Sequence, residues 1–276
     1  MPALAHEGQP HGAALPWTCD PWIVAPLSVS AILYAVGVTR LAQRSTLIHR
    51  GWEHACYVAG WLALIAALVS PLHWLGEHVF TFHMIEHEIV MAVAAPLLVM
   101  ARPLGPLLWA LPKGVRLRLA ALSQTNAWRT AWQGLTRPAA ATTLHGIAIW
   151  LWHFPALFDA AVESDGLHRL QHLSFFVTAL LFWWALVRRS NPGVAVAHLF
   201  ATMLHTSILG ALMALAPRVL YTAQTQHALD WGLTALQDQQ LAGIIMWVPA
   251  GTVYAGAALA FAARWIRRSR PDWRTT

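Results

Sequence analysis

Apolar residues run along this chain in seven long blocks, at about residues 22–39, 54–74, 79–100, 139–158, 169–187, 195–216 and 240–263. Each block is close to the roughly 20 residues that a helix needs to cross a hydrocarbon core. Inside lipid, every backbone N–H and C=O has to be satisfied within its own segment, so blocks of this length predict helices. Pro71, Pro96, Pro103, Pro138, Pro155, Pro192 and Pro217 punctuate the block ends. The pattern predicts an all-α integral membrane protein: a seven-transmembrane-helix bundle forming a single membrane domain over residues 1–276.

Charge then orients the bundle. Arg40, Arg44 and Arg50 fall between the first and second blocks, and Arg102, Lys113, Arg116, Arg118, Arg129 and Arg137 between the third and fourth. Arg188 and Arg189 follow the fifth, and Arg264, Arg267, Arg268, Arg270 and Arg274 follow the seventh. Sixteen of the eighteen basic residues therefore lie on one side, with only Arg169 and Arg218 opposite. Basic loops stay in the cytoplasm, so the N-terminus is expected outside and the C-terminus inside, in a plasma membrane. Residues 1–20 read as a short periplasmic tail, since MPALAHEGQPHGAALPW lacks the basic start and apolar core of a signal peptide. The 101–138 connection is expected to be cytoplasmic and partly interfacial, because VRLRLAALSQTNAWRTAWQGL mixes Arg with Leu and Trp.

Composition agrees with this reading. Of 276 residues, 57% are hydrophobic and 11% charged, against about 25% charged in soluble domains. The net charge of +6 would suggest nucleic acid in a soluble protein; here it is a topology signal, and the expected contact is membrane lipid. Cys19 and Cys56 lie about a span apart, which argues against a structural disulfide. Sixteen tryptophans suit aromatic belts at the two interfaces.

Eight of the fifteen histidines lie inside or at the rim of the apolar blocks: His83, His87, His145, His153, His168, His172, His198 and His205. Ionisable groups in hydrocarbon are costly and mark functional sites. His83/His87 in HMIEH and His168/His172 in HRLQH are spaced i,i+4, which sets both imidazoles of each pair on one helix face. With helix directions fixed, these pairs and His153 share the outer half of the membrane, and His73 and His78 flank the turn just above. His145, His198 and His205 lie deeper, and singly each reads better as a hydrogen-bonded packing residue. His6 and His11 in the tail read as incidental.

Imidazole suits copper, zinc, iron and nickel, whereas thioether selects Cu(I). Met91 continues the His83–His87 stripe and so tilts the choice toward copper. Glu86 and Glu88 flank His87, and Glu86 in particular is placed to fix an imidazole tautomer. Zinc hydrolysis is disfavoured, because HMIEH puts Glu before the second His and not after the first. No phosphate loop, nucleophile elbow or cysteine cluster is present, so no enzymatic activity is expected.

The run SPLHWLGEHVFTFHMIEHEIVMAVAAPLLVMARP (70–103) resembles the hallmark of the CtaG family of cytochrome c oxidase assembly factors, associated with caa-type oxidases. WLWHFPALFDAAV (150–162), HRLQHLSFFVTALLFWW (168–184), PRVLYTAQ (217–224) and DQQLAGIIMW (238–247) follow in the same order. The resemblance covers about residues 50–260. It implies a respiratory-chain biogenesis factor, a chaperone that binds copper in the outer half of the membrane for the copper B centre of oxidase subunit I. The family's motif histidines map to His83, His87, His153, His168 and His172, which are read here as the metal ligands, with Asp238 and Gln239 opening the seventh block. Met91, Glu86, His205 and Asp238 are the further candidates for ligands or for groups that hydrogen-bond to them. Two other readings stay open: a b-type haem electron carrier gripping one haem between two helices, and a copper permease stepping metal along the deeper histidines.

Overall fold

The computed structural model describes residues 16–43 and 51–269, and is all-helical there. Arg44, Arg50, Arg270, Arg274, His6 and His11 lie outside the described residues. The helices are α1 (Pro21–Ala42), α2 (Gly51–Leu68), α3 (Pro71–His78), α4 (Phe80–Ala101), α5 (Leu104–Ala110), α6 (Lys113–Gln124) and α7 (Asn126–Leu135). Then follow α8 (Pro138–Trp152), α9 (Pro155–Val162), α10 (Asp165–Arg189), α11 (Pro192–Ala214) and α12 (Ala235–Ser269).

All seven apolar blocks fold as helix. Five helices (α1, α4, α10, α11 and α12) are each long and apolar enough to cross a bilayer, and α2 with α3 makes a sixth if that pair, bent by 42°, is one span. The 139–158 block is divided: α8 has 15 residues and ends at His153, and Pro155 opens α9. The 54–74 block breaks likewise at Ser70, whose hydroxyl accepts from the Leu72 N–H while Pro71 occupies the first helical turn. Proline has no N–H to donate and fits the first turn, where none is needed, so each break falls directly before one. The 101–138 connection holds α5, α6 and α7; the last two bury no residue.

α4 is the most buried of the candidate spans, and α2, α3, α10 and α12 pack against it. Its start is capped from α12: Asp238 Oδ2 accepts the Phe80 N–H at 2.8 Å, and Oδ1 accepts the Thr81 N–H at 2.9 Å and the Thr81 hydroxyl at 2.7 Å. Its last carbonyls, Val99 and Met100, accept from Arg188 of α10 at 2.8 and 3.4 Å. Between them lies a π-helical stretch, Ile89–Ala94, whose Met91 carbonyl accepts the Trp183 indole N–H at 2.9 Å. Helix ends and bulges leave backbone groups unpaired, and the neighbouring helices supply the partners here.

Two crossings depend on missing side chains. α11 and α12 pair along their length, with Gly210 and Gly243 at the closest approach; a Cβ on Gly243 would stand 2.5 Å from the Ala214 nitrogen. α5 folds back onto α1, where a Cβ on Gly37 would lie 1.8 Å from the Pro106 carbonyl oxygen. Backbone cannot yield as a flexible side chain can, so Gly37→Ala is expected to cost about 1–3 kcal/mol by forcing α1 from α5. Gly256→Ala, which meets nothing within 4 Å, is expected to be neutral or to stabilise by about 0.5–1 kcal/mol. Thermal unfolding of the two variants in detergent distinguishes these outcomes.

Candidate metal centre

The start of α4 carries His83 and His87 one turn apart, and both rings are 1% exposed. α10 runs alongside and contributes His168 and His172, again one turn apart. α8 ends at His153, and the bend after Ser70 swings α3 across so that His73 also faces inward. Ring centroids are 4.3 Å apart for His83/His87, 4.9 Å for His87/His172, 5.3 Å for His83/His168 and 6.2 Å for His87/His153. His73 stacks on His168 at 5.7 Å. Six imidazoles from four elements thus meet at one end of the bundle. Sequence placed five of them in the site and left His73 in the turn above.

Ligand atoms of His83, His168 and His172 lie within 4.8 Å of one another. The Nε2 atoms of His168 and His172 face each other at 2.9 Å. His153 donates its Nδ1–H to the Ile149 carbonyl at 2.7 Å, which leaves Nε2 as a bare acceptor. That atom, both ring nitrogens of His83 and of His87, and Nδ1 of His172 are buried without a hydrogen-bond partner. Buried polar atoms left unsatisfied are uncommon and costly. A metal ion drawing several lone pairs to one point removes that cost, and an all-imidazole set suits copper, zinc, iron or nickel.

Carboxylate enters at one place. Glu86, fully buried, accepts from His73 Nδ1 at 2.7 Å and lies 3.6 Å from His172 Nε2. Its other oxygen packs against Gly76, where a Cβ would sit 2.8 Å away. Histidine ligands are commonly oriented through such outer contacts, so Glu86 and His73 form a brace beside the imidazole cluster. Gln171, one residue before His172, is fully buried with neither amide atom paired.

The remaining expected participants are placed as follows. Asp238 has both oxygens engaged in capping α4. Met91 lies in the π-helical turn among core residues that include Phe182 and Trp183. His205 of α11 faces α8, its Nδ1 accepting from the Trp150 indole at 3.3 Å. His145 pairs with Thr178 at 3.1 Å and His198 with Thr142 at 3.0 Å, as expected of packing histidines.

A collar of hydrogen bonds closes the top of the cluster. The Tyr221 hydroxyl donates to the His153 carbonyl at 2.7 Å, at the point where α8 stops. Burial, with Asp159 nearby, pushes the Tyr221 phenol well above its ordinary range, so it remains a donor. Gln224 donates to the Gly76 carbonyl at 2.7 Å, and Gln239 accepts the Leu220 N–H at 2.6 Å while donating to the Arg218 carbonyl at 3.2 Å. Phe80, Phe158 and Tyr221 pack ring against ring at 5.0–5.1 Å beneath this collar.

These features define a helical multi-pass membrane protein built around a buried histidine centre. Over residues 32–268 the chain matches the family Cytochrome c oxidase caa3 assembly factor (Caa3_CtaG), and it belongs to that family. It is similar to the uncharacterized proteins Mb0105 of Mycobacterium bovis and MT0111 of Mycobacterium tuberculosis, each 29% identical over 269 residues, 92% of this chain and 40% of theirs. ML1998 of Mycobacterium leprae is 25% identical over 266 residues, 91% of this chain and 40% of its own. The chain therefore spans about 40% of the length of the curated relatives it matches. No solved structure matches it.

Asp238 is the cheapest point at which to disturb the centre without touching an imidazole. Asp238→Ala removes three hydrogen bonds at the start of the His-bearing helix and is expected to cost about 1–3 kcal/mol. Asp238→Asn keeps an acceptor oxygen and is expected to cost less. Thermal unfolding of both in detergent checks the order; equal loss would show that charge, not acceptance, holds the cap.

Proposed function

We propose that this protein is a non-enzymatic assembly factor that holds copper, as Cu(I), on His83, His87, His153, His168 and His172 and passes it to subunit I of a copper-containing cytochrome c oxidase for its copper B centre. The observation that carries the metal reading is the meeting of buried imidazoles from separate helices, with ligand atoms of His83, His168 and His172 within 4.8 Å of one another and ring nitrogens of His83, His87, His153 and His172 unpartnered. Family membership supports copper as the metal and the oxidase as its destination. Glu86 and His73 brace the ligands, and Asp238 and Tyr221 fix the helix ends that carry them; Met91 and His205 serve as packing residues. Copper is cargo in this account, so the chain binds, orients and releases it without turnover.

In the same reading the chain is one membrane domain of seven spans, with α8 and α9 together as the short, broken fourth. The basic residues Arg102, Arg188, Arg189 and Arg264 stand at the end of the bundle remote from the histidines. The positive-inside rule then puts that end in the cytoplasm and the histidine centre in the outer half of a cell membrane. The haem reading draws little support from the site. Its imidazoles touch one another and Phe158 and Phe175, whereas a macrocycle needs a flat slot between two axial ligands. A permease would need a continuous ladder of ligands; the deeper histidines each have one ring nitrogen tied to a hydroxyl or an indole, and among the described residues the group of converging ligand atoms is His83, His168 and His172.

Purified protein is expected to bind about one Cu(I) per chain and to remain colourless. The His83→Ala/His87→Ala double variant should lose most of this affinity, because too few imidazole ligands remain. Glu86→Gln should cost about 10–100-fold. Cells carrying His168→Ala/His172→Ala are expected to build an oxidase with normal haem but depleted copper B. Full copper content in the purified double variant, or normal oxidase copper in the cells at unchanged protein level, would contradict the proposal.

A further inference from the structure

The histidine centre is closed by aromatic rings and the hydrogen-bonded collar on one side and open on another. A cavity of about 630 Å³ lies against it, between the first turns of α1, the end of α2, α3 and the start of α10. His73, His168 and His172 form its inner wall, and Leu27, Leu64, Leu68 and Phe176 its apolar flank. Asp20, Glu77, Asp165 and Arg169 also line it, so acidic groups outnumber the single basic one. A recess whose lining is net negative favours entry of a cation.

The imidazoles are graded from this cavity inward. His73, His168 and His172 stand at its face; His83 follows, 5.3 Å from the His168 ring and 5.9 Å from that of His172. His87 and His153 lie beyond, with His87 4.3 Å from His83 and 4.9 Å from His172. A metal ion entering here can exchange one imidazole for the next without being released between ligands.

The wall on the other side is α1, which is buried far less than α4. One half of α1 is fixed: Gly37 lies on Pro106, Arg40 donates to the Ala110 carbonyl at 2.6 Å, and Tyr34 stacks on Tyr57 at 3.5 Å. The half beside the cavity is held at Leu27, whose carbonyl accepts the Trp61 indole N–H at 3.0 Å, and at its very end by the Thr18 N–H to the Val69 carbonyl at 2.9 Å and by Arg169 Nε on Asp20 Oδ2 at 2.7 Å. Pro26 sits between the two halves and interrupts the intrahelical ladder. Although burial works to raise it, the Trp22 N–H and the Arg169 guanidinium hold the Asp20 carboxyl below its ordinary range.

We infer that this cavity is the doorway by which the metal ion reaches and leaves the histidine centre, and that the Asp20–Arg169 ion pair is the latch that keeps the end of α1 across it. The inference rests on the copper reading above and adds a route to it. None of its test positions is a proposed ligand, so route and site can fail separately.

The experiment uses full-length protein in detergent and Cu(I) supplied as its coloured bicinchoninate complex, followed by stopped-flow absorbance. Each trace gives a loading rate and an endpoint. Leu68→Trp fills the doorway; Leu173→Trp does so from an exposed position on the α10 wall that tolerates a larger side chain. Both are expected to slow loading by about tenfold or more with the endpoint unchanged, because uptake then awaits movement of the wall. Arg169→Ala, which opens the latch, is expected to speed loading several-fold, also at unchanged endpoint. Wild-type rates in both tryptophan variants would overturn the doorway, and slower loading in Arg169→Ala would overturn the latch. No copper uptake by the unsubstituted protein would instead remove the metal site, and the route with it.

Discussion

A nitrogen lone pair sealed away from water has to be met by a proton donor or by a cation, and the rest of this structure is arranged around that demand. Six imidazoles converge at one end of an apolar bundle, and six of their ring nitrogens, on His83, His87, His153 and His172, have no hydrogen-bond partner. Uncompensated burial of this kind costs of order 1–3 kcal/mol for each group. Packing alone would be served better by leucine or phenylalanine at these positions. The cluster makes physical sense as a receptor for a positive ion that accepts several lone pairs at once.

Holding such a cluster in place takes rigidity at points where helices end. α4 is tied at its start by Asp238, at its bulge by Trp183 and at its far end by Arg188. α8 stops at His153, and the carbonyl freed there goes to Tyr221. In this account the DQ pair at 238–239 and the YTAQ run at 221–224 act as clamps that fix the histidine-bearing helices to their neighbours. Gly210 and Gly243 separately let α11 and α12 approach closely.

Much of this was legible in the sequence, because hydrophobic blocks and i,i+4 histidine pairs are local patterns. The helices, the pairs on α4 and α10 and the separation of His145, His198 and His205 all follow from spacing and depth. Two breaks inside the 54–74 and 139–158 blocks went unread, although Ser70–Pro71 and Phe154–Pro155 carry the helix-start signals; the 42° bend still leaves α2 with α3 countable as one span. The first of these breaks also explains why His73 was assigned to a turn, since only the bend brings it against Glu86. The tasks of Asp238, Tyr221 and Gln224 were beyond reach from sequence, because each bond spans 68 residues or more. Met91 looked like a continuation of the histidine stripe under the α-helical period; the π-helical turn at Ile89–Ala94 alters that period immediately after Glu88.

The central claim is that histidines from separate helices gather on one ion. X-ray absorption at the copper edge of the Cu(I)-loaded protein tests this most directly, because imidazole rings give a characteristic multiple-scattering pattern and sulfur a distinct, longer shell. The account predicts a low-coordinate site in which a few of the five imidazoles bind at a time and no sulfur does, with the imidazole count reduced in the His168→Ala/His172→Ala variant. A sulfur shell from methionine or cysteine, or a spectrum unchanged by that substitution, would contradict it.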